Sequence, residues 1–311
     1  MPTFLNTSRN ESMKNIFKKI RLTIAMTRDR IQPDSLRKIK VGNFEVFVNR
    51  THALPRYLRE RPSYSANFPR IVSFVRAMYP NLVVLDIGAN IGDTVARVRS
   101  VADCSMVCIE GNNFFFSILK KNIAQFNNVR AYQYFLGDED ARVETSNERQ
   151  RGTFSIDKRE EGHLVNTVQV CTLDAFLKKE KPCENTDAKV LKIDTDGYDL
   201  KILRGGKRFI EENHPILFFE FDRTLLARLG ENETDIFSWL QSTGYSKILF
   251  YDNTGRFILA AELESRQMIH ELYLYTSGKK SAFPYYDVCI FHTDDAELAN
   301  RCISEEEKIN I

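Results

Sequence analysis

The stretch Asn81–Gly92, NLVVLDIGANIG, constrains the fold more than any other part of this chain. Val83, Val84 and Leu85 form an unbroken apolar run, the mark of a strand buried on both faces in a parallel sheet. The run ends at Asp86, and Gly88, Asn90 and Gly92 then fall at alternate positions. The two glycines permit turns and close ligand approach that a Cβ would block. Val95, Val98 and Val101 follow at helical spacing, with Asp93 or Thr94 suited to cap the helix start. Strand, glycine loop and helix N-terminus together are the unit with which open α/β sheets hold nucleotide-like cofactors.

The glycine spacing separates two kinds of cofactor. A dinucleotide site asks for G-x-G-x-x-G beside a pyrophosphate. Here the pattern is D-x-G-x-N-x-G, and an acid at the strand end repels a pyrophosphate while suiting the ammonium of a methionine group. Ser105–Ile109 reads as a second strand, closed by Glu110, 24 residues after Asp86. A carboxylate at the tip of a second strand accepts hydrogen bonds from a ribose diol. The two acids favour S-adenosyl-L-methionine over a nicotinamide dinucleotide, with Asp86, Gly88, Asn90, Gly92 and Glu110 as the cofactor-binding residues.

From residue 81 onward strand and helix patterns alternate. Strands are expected at 82–86, 105–110, 130–136, 189–194 and 215–221, with late strands at 245–250 and 288–292. Helices are expected at 93–102, 113–126 and 199–212, and one at 68–78 within a lead-in over 41–80. Repeated βα units predict a mostly parallel sheet with helices on both faces. Residues 139–167 interrupt the rhythm with a polar excursion carrying short strand patterns near 142–145 and 153–156. In such sheets the ligand lies beyond the carboxyl ends of the strands. That rule gathers 86–92, 110–112, 137–138 and 194–198, and makes Asp138 a candidate for the adenine amino group; an acid in a tight GDED turn is the equal alternative.

The second informative stretch is Lys192–Gly206, KIDTDGYDLKILRGG. Asp194 ends a strand, Asp196 follows, and Gly197 permits a turn beside them. These two acids are the catalytic candidates, placed to orient or deprotonate an acceptor hydroxyl. Methyl transfer from a sulfonium is an in-line displacement, so positioning supplies much of the rate. Asp199 reads as helix capping, and Asp174 or Thr172 as rival caps of TLDAFLKKE. Glu220 closes an otherwise apolar strand and His163 sits in the excursion; both are candidate substrate contacts. Lys192 either pairs with an acid or snorkels. His163 and His214 have no metal-ligand spacing around them, and no metal is expected.

Composition sets limits on the rest. The chain has 311 residues, 43% hydrophobic and 28% charged, enough to bury a full core. The net charge of +2 carries no nucleic-acid signature. Residues 14–40, however, hold nine Lys/Arg against Asp29 and Asp34, a local +7. Within 13–26, Met13, Ile16, Phe17, Ile20 and Ile24 lie on one helical face among Lys14, Lys18, Lys19 and Arg21. Such a basic amphipathic helix suits an anionic lipid surface. Its commoner fate is packing on its own domain or a sister subunit, so a homo-oligomer is the rival expectation. Six cysteines without C-x-x-C point to a reduced compartment, and the polar start MPTFLNTSRNES has no signal-peptide core. The expected location is cytoplasmic, with the inner face of the membrane as a variant.

With these motifs read, the chain resembles the FkbM family of S-adenosylmethionine-dependent methyltransferases. LDIGANIG (85–92), IEGN (109–112), TLD (172–174), LKIDTDGYDLKILRGG (191–206) and ILFFEF (216–221) occur in the family's order and cover about 82–222. The family's E-G-x-E carboxylates stand here as Asp196 and Asp199, one methylene shorter. The resemblance implies a Rossmann-like class I methyltransferase fold: α/β, a mostly parallel seven-stranded sheet with helices on both faces, plus an N-terminal helical extension. It divides the chain into a basic, partly helical extension (1–60) and a methyltransferase domain (61–311). It implies O-methylation of a sugar or glycan hydroxyl, or of a secondary metabolite. Nucleic-acid methylation is disfavoured because no N-P-P-Y or D-P-P-Y segment is present. A non-catalytic binding protein on the same fold is the reading from another class.

Overall fold

A computed structural model of the chain describes residues 32–146, 165–184, 187–231, 233–276 and 281–310. The basic helix expected at 13–26, the strand pattern at 153–156 and His163 lie outside the described residues. The strands in chain order are β1 (Leu36–Val41), β2 (Phe44–Asn49), β3 (Val83–Ile87), β4 (Ser105–Ile109), β5 (Val129–Tyr132), β6 (Phe135–Gly137), β7 (Ala141–Ser146), β8 (Val165–Thr172), β9 (Val190–Ile193), β10 (Ile216–Phe221), β11 (Tyr245–Asp252), β12 (Phe257–Glu262) and β13 (Tyr286–His292).

Every residue of β3 and β9 is buried, as strands between two helical layers require. They pair in parallel at the centre of a sheet with the order β12-β11-β13-β10-β9-β3-β4-β5. The chain runs outward through β4 and β5 on one side of β3, then returns to place β9 and β10 on the other. That reversal opens a crevice at the carboxyl ends of β3 and β9. β13 runs antiparallel between β10 and β11. The sheet has eight strands, not the expected seven. The added edge is β12, joined to β11 by a turn in which Asp252 accepts from the Thr254 and Arg256 amides at 2.8 and 3.1 Å.

Alternation along the strands sends side chains to two separate cores. Leu85, Ile87, Leu191, Ile193 and Phe219 face the helices Leu173–Glu180, Asp199–Gly205 and Glu233–Ser242. Val84, Val190, Ile216 and Phe218 face Asn67–Met78, Asp93–Arg99 and Ala296–Asn310. Asp86 and Lys192 share the parity of Val84 and Val190, which places two ionisable groups in the sheet itself.

Two expectations change. The strand expected at 130–136 breaks after Tyr132, and β6 joins β8 and β7 in a separate three-stranded sheet. The lead-in is not simply helical: β1 and β2 form an antiparallel hairpin before the helix Leu54–Glu60. Asn122 holds it down, accepting from the Phe47 amide at 2.7 Å and donating to the Phe47 and Ile91 carbonyls at 2.9 and 2.8 Å. Val41, Val46, Val48 and Leu54 pack with Ile91, Ala96 and Phe115. Residues ahead of position 60 thus build directly on the glycine loop. Among the described residues no helix is long and apolar enough to cross a membrane.

Candidate functional site

The glycine loop leaves β3 at Gly88, whose φ of +79° and crowding both exclude a side chain. A Cβ there would lie 1.9 Å from the Asp194 carbonyl oxygen. The loop is tied to β4 by the Gly88 and Ala89 amides, which donate to the Ile109 carbonyl at 2.9 and 3.0 Å. Asn90 also takes the left-handed conformation, with φ +49°. Gly92, φ +81°, is itself the N-cap of Asp93–Arg99; neither Asp93 nor Thr94 caps the helix, because both lie inside it.

Glu110 stands at the tip of β4, almost wholly buried. Its Oε2 accepts from the Asn90 amide at 2.9 Å and its Oε1 from the Asn112 amide at 2.7 Å. Burial outweighs those two bonds and pushes the carboxyl up to about 7. Each oxygen keeps a lone pair for a further donor. Around it Ile87, Ile109, Phe115, Phe135 and Leu136 wall a narrow cleft of about 60 Å³. Gly111 allows the Phe135 ring to close this slot, since a Cβ there would come within 2.3 Å of it.

Asp86 does not reach that cleft. It is fully buried, and its Oδ1 accepts from Lys192 Nζ at 3.0 Å while Oδ2 has no hydrogen-bond partner. The cause is register: Asp86 and Lys192 are direct partners across β3 and β9. Lys192 also lies 3.2 Å from Asp194 Oδ2. Burial alone would lower the Lys192 ammonium, but Asp194 and Asp86 outweigh it and hold the lysine protonated. The sequence signal was a lysine opposite the motif's acid in the neighbouring strand.

Asp194 is exposed at the end of β9 and Asp196 follows at φ +52°, before Gly197 at +109°. A left-handed aspartate between two turns is a strained position of the kind that gathers at functional sites. Burial, reinforced by Asp194 and Asp199, raises the Asp196 carboxyl to about 7. Asp199 is not the cap of its helix but ties the turn, accepting from Thr195 Oγ1 at 3.1 Å and the Gly197 amide at 3.3 Å. Thr172 caps Leu173–Glu180, whereas Asp174 accepts from the Arg208 and Phe209 amides of the helix Lys207–Asn213.

Gly88, Asn90, Asp194 and Asp196 also line a second, larger cleft of about 530 Å³. Its sheet side carries Lys192, Glu220 and Asp222, and burial pushes the Glu220 carboxyl well above the carboxylate range. Its other side comes from the lead-in: His52, Arg56, Tyr57, Arg61 and Tyr64, with Arg97. His52 Nδ1 accepts from the Leu54 amide at 3.1 Å, which leaves Nε2 to donate to Asn90 Oδ1 at 3.3 Å. Burial lowers the His52 pKa, so the ring is neutral there. None of these lead-in residues stood out in the sequence, because no local pattern tells a chain which cleft it will roof.

Two remaining groups fall elsewhere. Asp138 follows β6, pairs with Arg204 at 3.4 Å and lines neither cleft. The broken strand carries it away from the crevice. His214 meets His292 and Asp294 at the opposite end of the sheet, in the one grouping among the described residues whose ligand atoms are close enough to hold a metal ion.

Residues 86–247 match the family profile described as the methyltransferase FkbM domain. A methyltransferase FkbM from Methylobacillus flagellatus KT is similar at 18% identity and TM-score 0.36, over 54% of this chain and 40% of that one. The chain therefore spans about two fifths of that protein's length. The METTL16 MTase domain is similar at 12% identity and TM-score 0.41, over 86% and 91% of the two chains. A precorrin-6y C5,15-methyltransferase from Geobacter metallireducens GS-15 is similar at 12% identity and TM-score 0.35, over 72% and 87%. No curated protein matches.

Proposed function

The chain belongs to the FkbM methyltransferase family, and on that premise we propose that it is an S-adenosyl-L-methionine-dependent O-methyltransferase acting on a hydroxyl of a sugar, glycan or glycan precursor. The observation that carries this reading is the meeting of two clefts at Gly88–Asn90 and Asp194–Asp196. One offers an acid in an apolar slot; the other offers carboxylates in a roomy polar space.

The residues fit the cofactor. Glu110 has lone pairs left for a ribose diol, Phe135, Leu136 and Ile109 form an apolar slot for a flat base, and the bend at Gly88–Asn90 borders the place for the methionine end. Asp86 supports that bend from beneath through Lys192 and does not touch the ligand. The cofactor supplies a methyl group activated on a sulfonium. Asp196 would hold the acceptor hydroxyl and take its proton as that oxygen accepts the methyl group, which the cofactor would supply with S-adenosylhomocysteine as the leaving group. A carboxyl near pH 7 is suited to that exchange, because it is part-ionised at neutral pH and returns the proton to water afterwards. Lys192 stays charged and fixes Asp194 alongside.

The test is methyl transfer from deuteromethyl-labelled cofactor to a sugar acceptor, followed by product mass. We expect a labelled methyl on oxygen, and Asp196→Asn lowering the rate by about 10²-fold while S-adenosylhomocysteine affinity stays within about twofold. The wild-type rate should rise with pH through about 7 and the variant should lack that step. Methyl on nitrogen, or wild-type turnover in Asp196→Asn, defeats the assignment.

A further inference from the structure

The second cleft holds a buried cation without an adequate partner. The Arg97 side chain is 11% exposed and lines the cleft, yet neither its Nε nor its Nη2 makes a hydrogen bond. The neighbouring Asp93 carboxylate, one helical turn back, stays 3.9 Å away. A guanidinium whose Nε and Nη2 are buried without hydrogen bonds is costly unless a ligand completes it. The fitting complement is a planar or tetrahedral oxyanion, which takes the guanidinium fork in two parallel bonds.

The surroundings are built to the same end. The Arg97 guanidinium lies 5.8 Å from the Tyr64 ring centroid, Tyr64 stands 4.9 Å from Tyr57, and Arg56 covers Tyr57 at 5.2 Å. Two neighbouring rings thus lie between two arginines along one wall, with Arg61 beside them. Such rings offer flat apolar faces to a sugar while the arginines read charge. The facing sheet tips carry Asp194, Asp196, Glu220 and Asp222. Lys192, on that same side, is engaged by Asp86 and Asp194, so an anion is drawn to the arginine wall, which orients the acceptor end for end.

We propose that Arg97, with Tyr64, Tyr57 and Arg56, selects an acceptor that carries an anionic group, a phosphate or a carboxylate, beside the sugar whose hydroxyl is methylated. The assignment rests on the methyltransferase reading for what happens at the hydroxyl, but anion recognition is measurable without turnover.

The full chain, saturated with S-adenosylhomocysteine, is titrated with glucose, glucose 1-phosphate, glucuronate and inorganic phosphate, and binding is read by calorimetry. Anionic sugars should bind at least about tenfold more tightly than glucose, a gap typical of charge-assisted bonds. Arg97→Gln should abolish that preference with S-adenosylhomocysteine affinity within about twofold, and Arg97→Lys should keep part of it. Preference for glucose 1-phosphate alone, or for glucuronate alone, identifies the anion. Equal binding of glucose and both anionic sugars, no binding of any probe, or a preference that survives in Arg97→Gln overturns the proposal. Failure of wild type to bind S-adenosylhomocysteine would instead strike the methyltransferase reading, while the sugar titrations still report on Arg97. Should Arg97→Gln fail to fold, Arg97→Lys and Arg56→Gln give the same comparison.

Discussion

The two clefts that meet at Asp194–Asp196 are built by different parts of the chain and by different rules. The smaller is made of strand tips and the loops that leave them, so its acid, glycines and apolar walls lie in short motifs between residues 87 and 202. The larger takes about two fifths of its lining residues from His52 to Pro69, ahead of the family match, and the rest from the glycine loop and its helix, strand tips and late loops. One is fixed by local sequence; the other exists only once the lead-in packs over the sheet. A slot built on strand tips beside a wall built by tertiary packing is the division that scaffold and loops commonly show.

The strongest way to break this comparison is to cut what both clefts stand on. Asp86→Ala removes the direct partner of buried Lys192 and leaves only the exposed Asp194 to balance it. We expect a loss of about 3 kcal/mol in stability, the scale of a broken buried pair, with the fall in cofactor affinity secondary to it. Chemical denaturation checks this. A variant as stable as wild type but unable to bind S-adenosylhomocysteine would return Asp86 to the cofactor site.

A smaller effect sharpens the contrast through pH. Glu110 and Asp287 are raised to about 7 and Asp199 to about 6, in each case by burial first. Their folded values exceed the unfolded ones near 4, so the stability they contribute is complete below that pH and is lost as pH rises through 6 to 7. Each contributes a slope of at most about 1.4 kcal/mol per pH unit. His292 acts the other way: burial lowers it, and its contribution, present above 6.5, is lost as pH falls. With Asp196 and Glu220 also raised and His52 also lowered, the raised carboxyls outnumber the lowered imidazoles, and the ligand-free Tm should fall between pH 5 and 7.5. A Tm that rises across that window contradicts the buried-acid account.

Much of the fold was legible because it is periodic. Apolar runs at 83–87, 105–109, 190–193 and 216–221 became strands within a residue or two of expectation, and the helix at 68–78 appeared as Asn67–Met78. The failures have physical causes. Asp86 was assigned to the ligand because its strand was read alone; its fate is set by register with Lys192, 106 residues away. Asp138 was placed at a strand tip because Tyr132 and Phe135 read as one strand, whereas the chain changes sheets between them. The β1–β2 hairpin and β12 have partly exposed faces and weak apolar signal. His52, Tyr64 and Arg97 gained their surroundings only through tertiary packing, as did the His214–His292–Asp294 cluster. Glu110, Gly88 and Asn90 meet in one cleft because their placement depends on backbone a few residues away.

The central claim is that the narrow cleft around Glu110 is an S-adenosylmethionine site and not a dinucleotide one. Calorimetric titration of wild type and Glu110→Gln with S-adenosylhomocysteine and with NAD tests it most directly. Glutamine turns an amide donor toward the Asn90 or Asn112 N–H and removes the charge proposed to hold the ribose, a loss of roughly 1.5–3 kcal/mol. The account predicts that wild type binds S-adenosylhomocysteine in preference to NAD, and that Glu110→Gln weakens this binding by about tenfold or more. Preferential binding of NAD, or unchanged S-adenosylhomocysteine affinity in Glu110→Gln, would contradict it.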